Sequence, residues 1–234
     1  MEKWIWLNRN KYPMEQKTFY TLFSKQQEIR YCCAEFHKFY HFPKKASKIR
    51  INVSADAKYL LYLNSKFVGQ GPVCHGGDYG FDGTMPYCYY NCYELETDTQ
   101  NVEFYALVPL IPTVQSETSW GHGGFMLEAE VFFKDGTRIN ISADEDWKSR
   151  INRQRYAVNK TDMTILSDKW EKSVVIPDSR TMRPSPIENL TEEIIYPCRE
   201  EQTNDGSSRV FELDRIYSGY YHFQVCAPDN AEYM

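Results

Sequence analysis

Apolar and polar residues alternate with a period of two along much of this chain. In 48–54, Ile49, Ile51 and Val53 alternate with Arg50, Asn52 and Ser54, the pattern of a strand with one face in a core. The run 58–64 (KYLLYLN) follows, and Val68-Gly69-Gln70-Gly71-Pro72 punctuates it. In 101–110, Val102, Phe104, Ala106 and Val108 share a face, and in 123–133 Leu127, Ala129, Val131 and Phe133 lie opposite Glu128 and Glu130. Lys134-Asp135-Gly136-Thr137 supplies an Asp-Gly hairpin turn, and 138–143 returns with Ile139 and Ile141 in register. No stretch holds helical spacing for three turns; one short helix is expected near 188–194 (ENLTEEI). The pattern predicts an all-β chain, an antiparallel β-sandwich or jelly roll.

Periodicity also divides the chain. Residues 1–148 form the expected sandwich. From 149 to 206 the alternation fails and Pro177, Pro184, Pro186 and Pro197 intervene, which predicts an irregular connecting excursion across the sandwich surface. Within 207–234 alternation resumes, with Tyr221, Phe223, Val225 and Ala227 on one face of 219–227. These strands either complete the sandwich, the reading favoured, or open a following β-domain. The sheet begun here has no closing element before Met234, which is expected of a truncation.

With 234 residues, 42% of them hydrophobic and 15% aromatic, the chain suffices for one large β-domain or two small ones. The net charge of −5 argues against a nucleic-acid partner. No apolar run approaches the roughly 20 residues of a membrane span. The first ten residues lack the apolar core of a secretory signal, so a cytoplasmic protein is expected, the alternative being a secreted one without its signal. Seven cysteines, an odd number at irregular spacing, do not describe a disulfide framework. On a strand, Cys88 and Cys92 stand about 13 Å apart, too far to share a zinc ion. Adjacent Cys32 and Cys33 point to opposite faces. Buried free thiols are expected, with neither metal nor cofactor.

Trp4-Ile5-Trp6, the strand 31–39 (YCCAEFHKF) and, most specifically, 48–72 (KIRINVSADAKYLLYLNSKFVGQGP) together resemble the N-terminal β-sandwich region of bacterial α-L-rhamnosidases. Within 48–72, Ser54, Ala55, Asp56, Tyr59, Leu61, Tyr62, Asn64, Val68, Gly69, Gly71 and Pro72 match, while Ser65 departs from the family's usual glycine. Residues 123–149 resemble the family's Gly-Gly strand, Asp-Gly hairpin and tryptophan ending, with Trp147 at the tryptophan and Ala143-Asp144 in place of Thr-Asp. Residues 210–232 resemble a later segment, with Asp214-Arg215 at its Gly-Arg and Gly219 at its glycine. The resemblance implies a galactose-binding-like sandwich that serves as a non-catalytic accessory domain. The family's acidic pair lies in an (α/α)6 barrel outside this chain, so no catalytic residue is carried over. The implied partners are that helical-barrel catalytic domain and a rhamnose-containing glycan. An autonomous carbohydrate-binding module is the alternative, and a hydrolase within this chain is the third reading. Hydrolysis would need two carboxyl groups about 5–5.5 Å or 6.5–9.5 Å apart. None of the 32 Asp and Glu residues sits in a motif that points to such a pair.

Two loops carry candidate sugar contacts. The run 74–83 (CHGGDYGFDG) has no Gly-Lys-Ser/Thr ending and is no phosphate cradle. Its Tyr79 and Asp82 offer a ring for C–H stacking and a carboxylate for hydroxyl protons, against the alternative of a packed interdomain loop. In 116–124 (SETSWGHGG), Trp120 and His122 offer a stacking surface, unless Trp120 plugs the end of the sandwich or docks another domain. Asp56 is expected to cap a turn. Tyr59 and Tyr62 must face opposite sides, and Asp144-Glu145-Asp146 is expected to be a hydrated loop. The Asn-X-Ser/Thr triplets at Asn52, Asn140, Asn159 and Asn189 are read as coincidence, since two fall inside strands.

Overall fold

The computed structural model describes residues 3–8, 32–56, 58–72, 87–110, 123–155, 162, 164–176, 181–189, 193–203 and 208–217. Every element among them is a strand: β1 (Trp4–Trp6), β2 (Cys32–Asp56), β3 (Lys58–Leu63), β4 (Lys66–Pro72), β5 (Tyr87–Leu110), β6 (Gly124–Phe133), β7 (Arg138–Ser142), β8 (Lys148–Ile151), β9 (Glu171–Lys172), β10 (Val174–Ile176), β11 (Thr181–Pro184), β12 (Arg199–Gln202) and β13 (Arg209–Glu212). The chain is an antiparallel β-sandwich, and β11 beside β5 is a parallel pair.

Two long strands organise it. β2 and β5 pair from Cys32↔Leu110 to Val53↔Asn91, with register shifts between His41 and Lys48. There the ribbon bends and its inward set changes parity. Ala34, Phe36 and Phe42 face the core before the bend, and Ile49, Ile51, Val53 and Ala55 after it. Shifts of this kind bend a strand and increase its twist, and Pro43 lies within this one. One layer then reads β4-β3-β5-β2-β8-β9, using the early half of β2 and the late half of β5. The other reads β11-β5-β2-β6, with β7 and the β1–β10 pair on the far side of β6.

The layers meet through aromatic rings. Phe36 stacks on Phe125 at 4.9 Å and approaches Trp6 at 5.7 Å, while Trp147 lies against Phe125 at 5.8 Å and Phe104 at 6.0 Å. Trp4, Trp6 and Trp147 are fully buried. Burying a side chain of this size contributes about 1.5–3 kcal/mol or more from apolar area alone. Gly123 lies against the Trp6 ring at a φ of +73°, so a β-carbon there would be both strained and blocked.

Most expected strands form as read, and the turn 134–137 closes with Gly136 at a φ of +80°. β7 covers less than expected: it is an edge strand on which Ile139 is 36% exposed. Asn64 and Ser65 join β3 to β4 with φ of 49° and 63°. A turn with both central residues at positive φ suits Asn but strains Ser, which locates the cost of the Ser65 departure. The excursion expected over 149–206 supplies β9, β10, β11 and β12, all too short to show a period. No helix occurs among the described residues; of 188–194, residues 188, 189, 193 and 194 are irregular, and 190–192 lie outside the described residues.

The chain divides into two compact units, 1–189 and 190–234. In the second, β12 and β13 form a two-stranded antiparallel sheet of their own, with Arg199 opposite Glu212. The expected strand 219–227 lies outside the described residues.

Candidate functional site

Alternation places Glu35 and His37 on the face of β2 opposite Ala34 and Phe36, on the outside of the layer that contains β3 and β4. Glu35 is nonetheless 2% exposed. Its Oε1 accepts from the Tyr105 hydroxyl at 2.6 Å and from Asn152 Nδ2 at 2.7 Å, and Arg150 Nε donates to Oε2. Burial, followed by this bond to Glu35 and the charge of Glu35, pushes the Tyr105 phenol far above its ordinary pKa.

Short elements build the rest. β8 pairs with β2 and sets Arg150 opposite Glu35 and Lys148 opposite His37. Beyond it the chain turns back on the β8 edge, where Asp168 N–H donates to the Ile151 carbonyl at 3.1 Å and Arg153 forms an ion pair with Asp168. That return delivers Trp170, whose ring lies 4.3 Å beneath the Arg150 guanidinium and 5.7 Å from the His37 ring. His37 Nε2 is 2.8 Å from Glu103 Oε1. Glu35 thus spends both oxygens on three donors, which hold the neighbouring side chains in place.

Along the same face runs a row of half-buried aromatic residues. Cross-strand register aligns Phe67 with Tyr62, Tyr62 with Tyr105, and Tyr105 with His37. Tyr62 meets Phe67 at 5.6 Å, edge to face, and Tyr105 at 5.9 Å. Tyr59, on the opposite face of β3 as its spacing requires, is buried and takes a 2.7 Å bond from Asn91.

The sequence candidates Tyr79, Asp82, Trp120 and His122 lie outside the described residues. Asp56 accepts a bond from the Gly123 backbone N–H across the sheet at 3.0 Å. Among the described cysteines, Cys32, Cys33 and Cys88 are buried, with burial pushing Cys32 up to about 12. Cys92 and Cys198 are exposed, correcting the expectation that the thiols are buried. Asp144-Glu145-Asp146 is a surface loop whose Asp146 pairs with Lys172 at 2.9 Å. No group of three or more metal-ligating side chains occurs among the described residues. The sequence reading missed Glu35, Arg150 and Trp170. The available signal was a carboxylate on the non-core parity of an apolar strand.

No family model and no curated protein matches the chain. Solved structures match its fold. The GH78-family rhamnosidase of Bacillus sp. GL1 aligns with a TM-score of 0.52 at 18% identity, over 86% of this chain and 21% of the enzyme. The lectin of Pleurotus ostreatus, solved with GalNAc, aligns with a TM-score of 0.50 at 17% identity, over 79% of this chain and 46% of the lectin. The chain thus spans about a fifth of the one protein and under half of the other. It is a rhamnosidase-like β-domain in fold.

Proposed function

We propose that the chain is a non-catalytic accessory domain of an α-L-rhamnosidase-like glycoside hydrolase, bracing a helical-barrel catalytic domain and contacting carbohydrate. One observation carries the reading: 86% of the chain matches a domain-sized fifth of a rhamnosidase. The motif 48–72, which resembles that family, supports it by supplying the second half of β2 together with β3 and β4. The autonomous carbohydrate-binding module remains the second reading, favoured by the likeness to a lectin. Trp120, His122, Tyr79 and Asp82 are the proposed loop contacts in either case. A cytoplasmic location, expected from the first ten residues, is part of this reading.

The purified chain is expected to give no turnover of aryl rhamnosides. Turnover abolished by a single Asp or Glu substitution would overturn the reading. Calorimetric titration with L-rhamnose bears on the two roles, since binding by the isolated chain is required of the autonomous module and not of the brace.

A further inference from the structure

We infer that the aromatic row Phe67–Tyr62–Tyr105–His37 is a binding platform for an extended, uncharged oligosaccharide lying across the strands. The inference rests on the carbohydrate reading above and adds the site, the orientation and the ligand class. Four features of the face lead to it.

Consecutive members sit on adjacent strands β4, β3, β5 and β2, so the row runs perpendicular to the chain direction. At about 4.8 Å per strand it is about 14 Å long, the dimension of several linked rings rather than one. Its members are half-buried, so each is fixed by packing and still presents surface. Aromatic faces carry negative charge density that attracts the polarised C–H groups of a sugar ring.

The charges on the face are of both signs. Glu35 is matched by Arg150 and Lys172 by Asp146, Glu103 lies 2.8 Å from His37, and Lys58 and Lys148 are exposed. A neutral polyhydroxyl chain needs no excess field of either sign. At the β8 end, Arg150 uses Nε on Glu35 and its guanidinium lies 4.3 Å from the centre of the Trp170 ring. A guanidinium carries further N–H donors on its terminal nitrogens, of the kind a sugar hydroxyl can accept from.

The buried network explains the rigidity of the platform. Tyr105 is at once the third ring of the row and a donor to Glu35. Its orientation is therefore fixed before any ligand arrives, which reduces the ordering cost of binding.

The test is calorimetric titration of the whole chain with linear tetrasaccharides of rhamnose, glucose and xylose, and with the three monosaccharides. At least one tetrasaccharide is expected to bind about tenfold or more tightly than its monosaccharide. Tyr62→Ala and Phe67→Ala are each expected to weaken that binding about tenfold, with melting curves confirming that the variants fold. If a variant does not fold, Tyr62→Leu takes its place, keeping apolar bulk without the ring. Binding to the glucose or xylose chain but not to rhamnose leaves the row intact and sinks the rhamnose reading. Rhamnose binding lost in Trp120→Ala but unchanged in folded Tyr62→Ala sinks the row and spares that reading. No saturable binding of any tetrasaccharide overturns the row. So does sedimentation as a dimer that Tyr62→Ala converts to monomer, because the face would then be a protein interface.

Discussion

The two outer faces of this sandwich are made from the same two long strands, yet they are built in different ways. Past the bend, the outer face of the second layer carries a ladder of exposed ions. Arg50 pairs with Glu94 and Glu130, Arg138 pairs with Glu130, Lys48 reaches Glu94 at 3.5 Å, and Phe132 lies beneath Lys48. Before the bend, the outer face of the first layer buries a carboxylate, pins it with three donors and aligns rings beside it. Exposed pairs contribute little, because water screens them and long side chains lose freedom in making them. A buried carboxylate is costly unless every lone pair is used, so its retention on an outward face calls for a role beyond solubility. The ladder keeps one face wet, and the network holds the other in shape.

The contrast breaks most sharply at Glu35. Glu35→Ala leaves the Tyr105, Arg150 and Asn152 donors without their shared acceptor and is expected to cost about 3–5 kcal/mol in denaturant titration. A loss below about 1 kcal/mol would place Glu35 with the surface ladder.

Alkaline pH sharpens it next. Burial holds Tyr40 up to about 12 against an ordinary 10.0, and raises Tyr59, Tyr93 and Tyr105 as well. A phenol whose folded pKa is raised contributes stability that is complete below the unfolded value and lost as pH rises through the folded one. The melting temperature is therefore expected to hold up to about pH 10 and to fall between about 10 and 12. In Tyr105→Phe the fall should be shallower; an identical slope would detach Tyr105 from this effect.

Glu94→Gln is expected to have the smallest effect. Arg50 holds the Glu94 carboxylate below its usual range, but on an exposed face. Its denaturation midpoint should stay at the parent value, and a clear drop would mean that the ladder bears weight.

The strands at 48–54, 101–110 and 123–133 were legible because each buries one face completely, so composition alternates with the pleat. The single length of β2 was not. The parity change at the bend makes 32–42 and 48–56 look unrelated, since a bulge conceals continuity from any test for period two. β9 and β11, two and four residues long, gave no period to detect. The glycine-rich loops drew attention through their composition. The outward cluster is dispersed instead: Glu35, Tyr62, Phe67, Tyr105, Arg150 and Trp170 come from five strands and a loop, and only pairing brings them together. Trp170 stood in the stretch read as an excursion, and nothing nearby in sequence names Arg150 as its neighbour.

The shared ribbon also bears on how the molecule folds. Along β2 and β5 the contacts shortest in sequence join Val53 to Asn91, and the longest join Cys32 to Leu110. Loop-closure entropy favours starting at the short end, with β3 and β4 in the intervening loop, and closing each later pair from a loop already shortened. Such a zipper lays down the second layer first, rounds the bend, and only then reaches Glu35. The carboxylate network would then form after most of the apolar surface has left water, and removing Glu35 should speed unfolding far more than it slows folding.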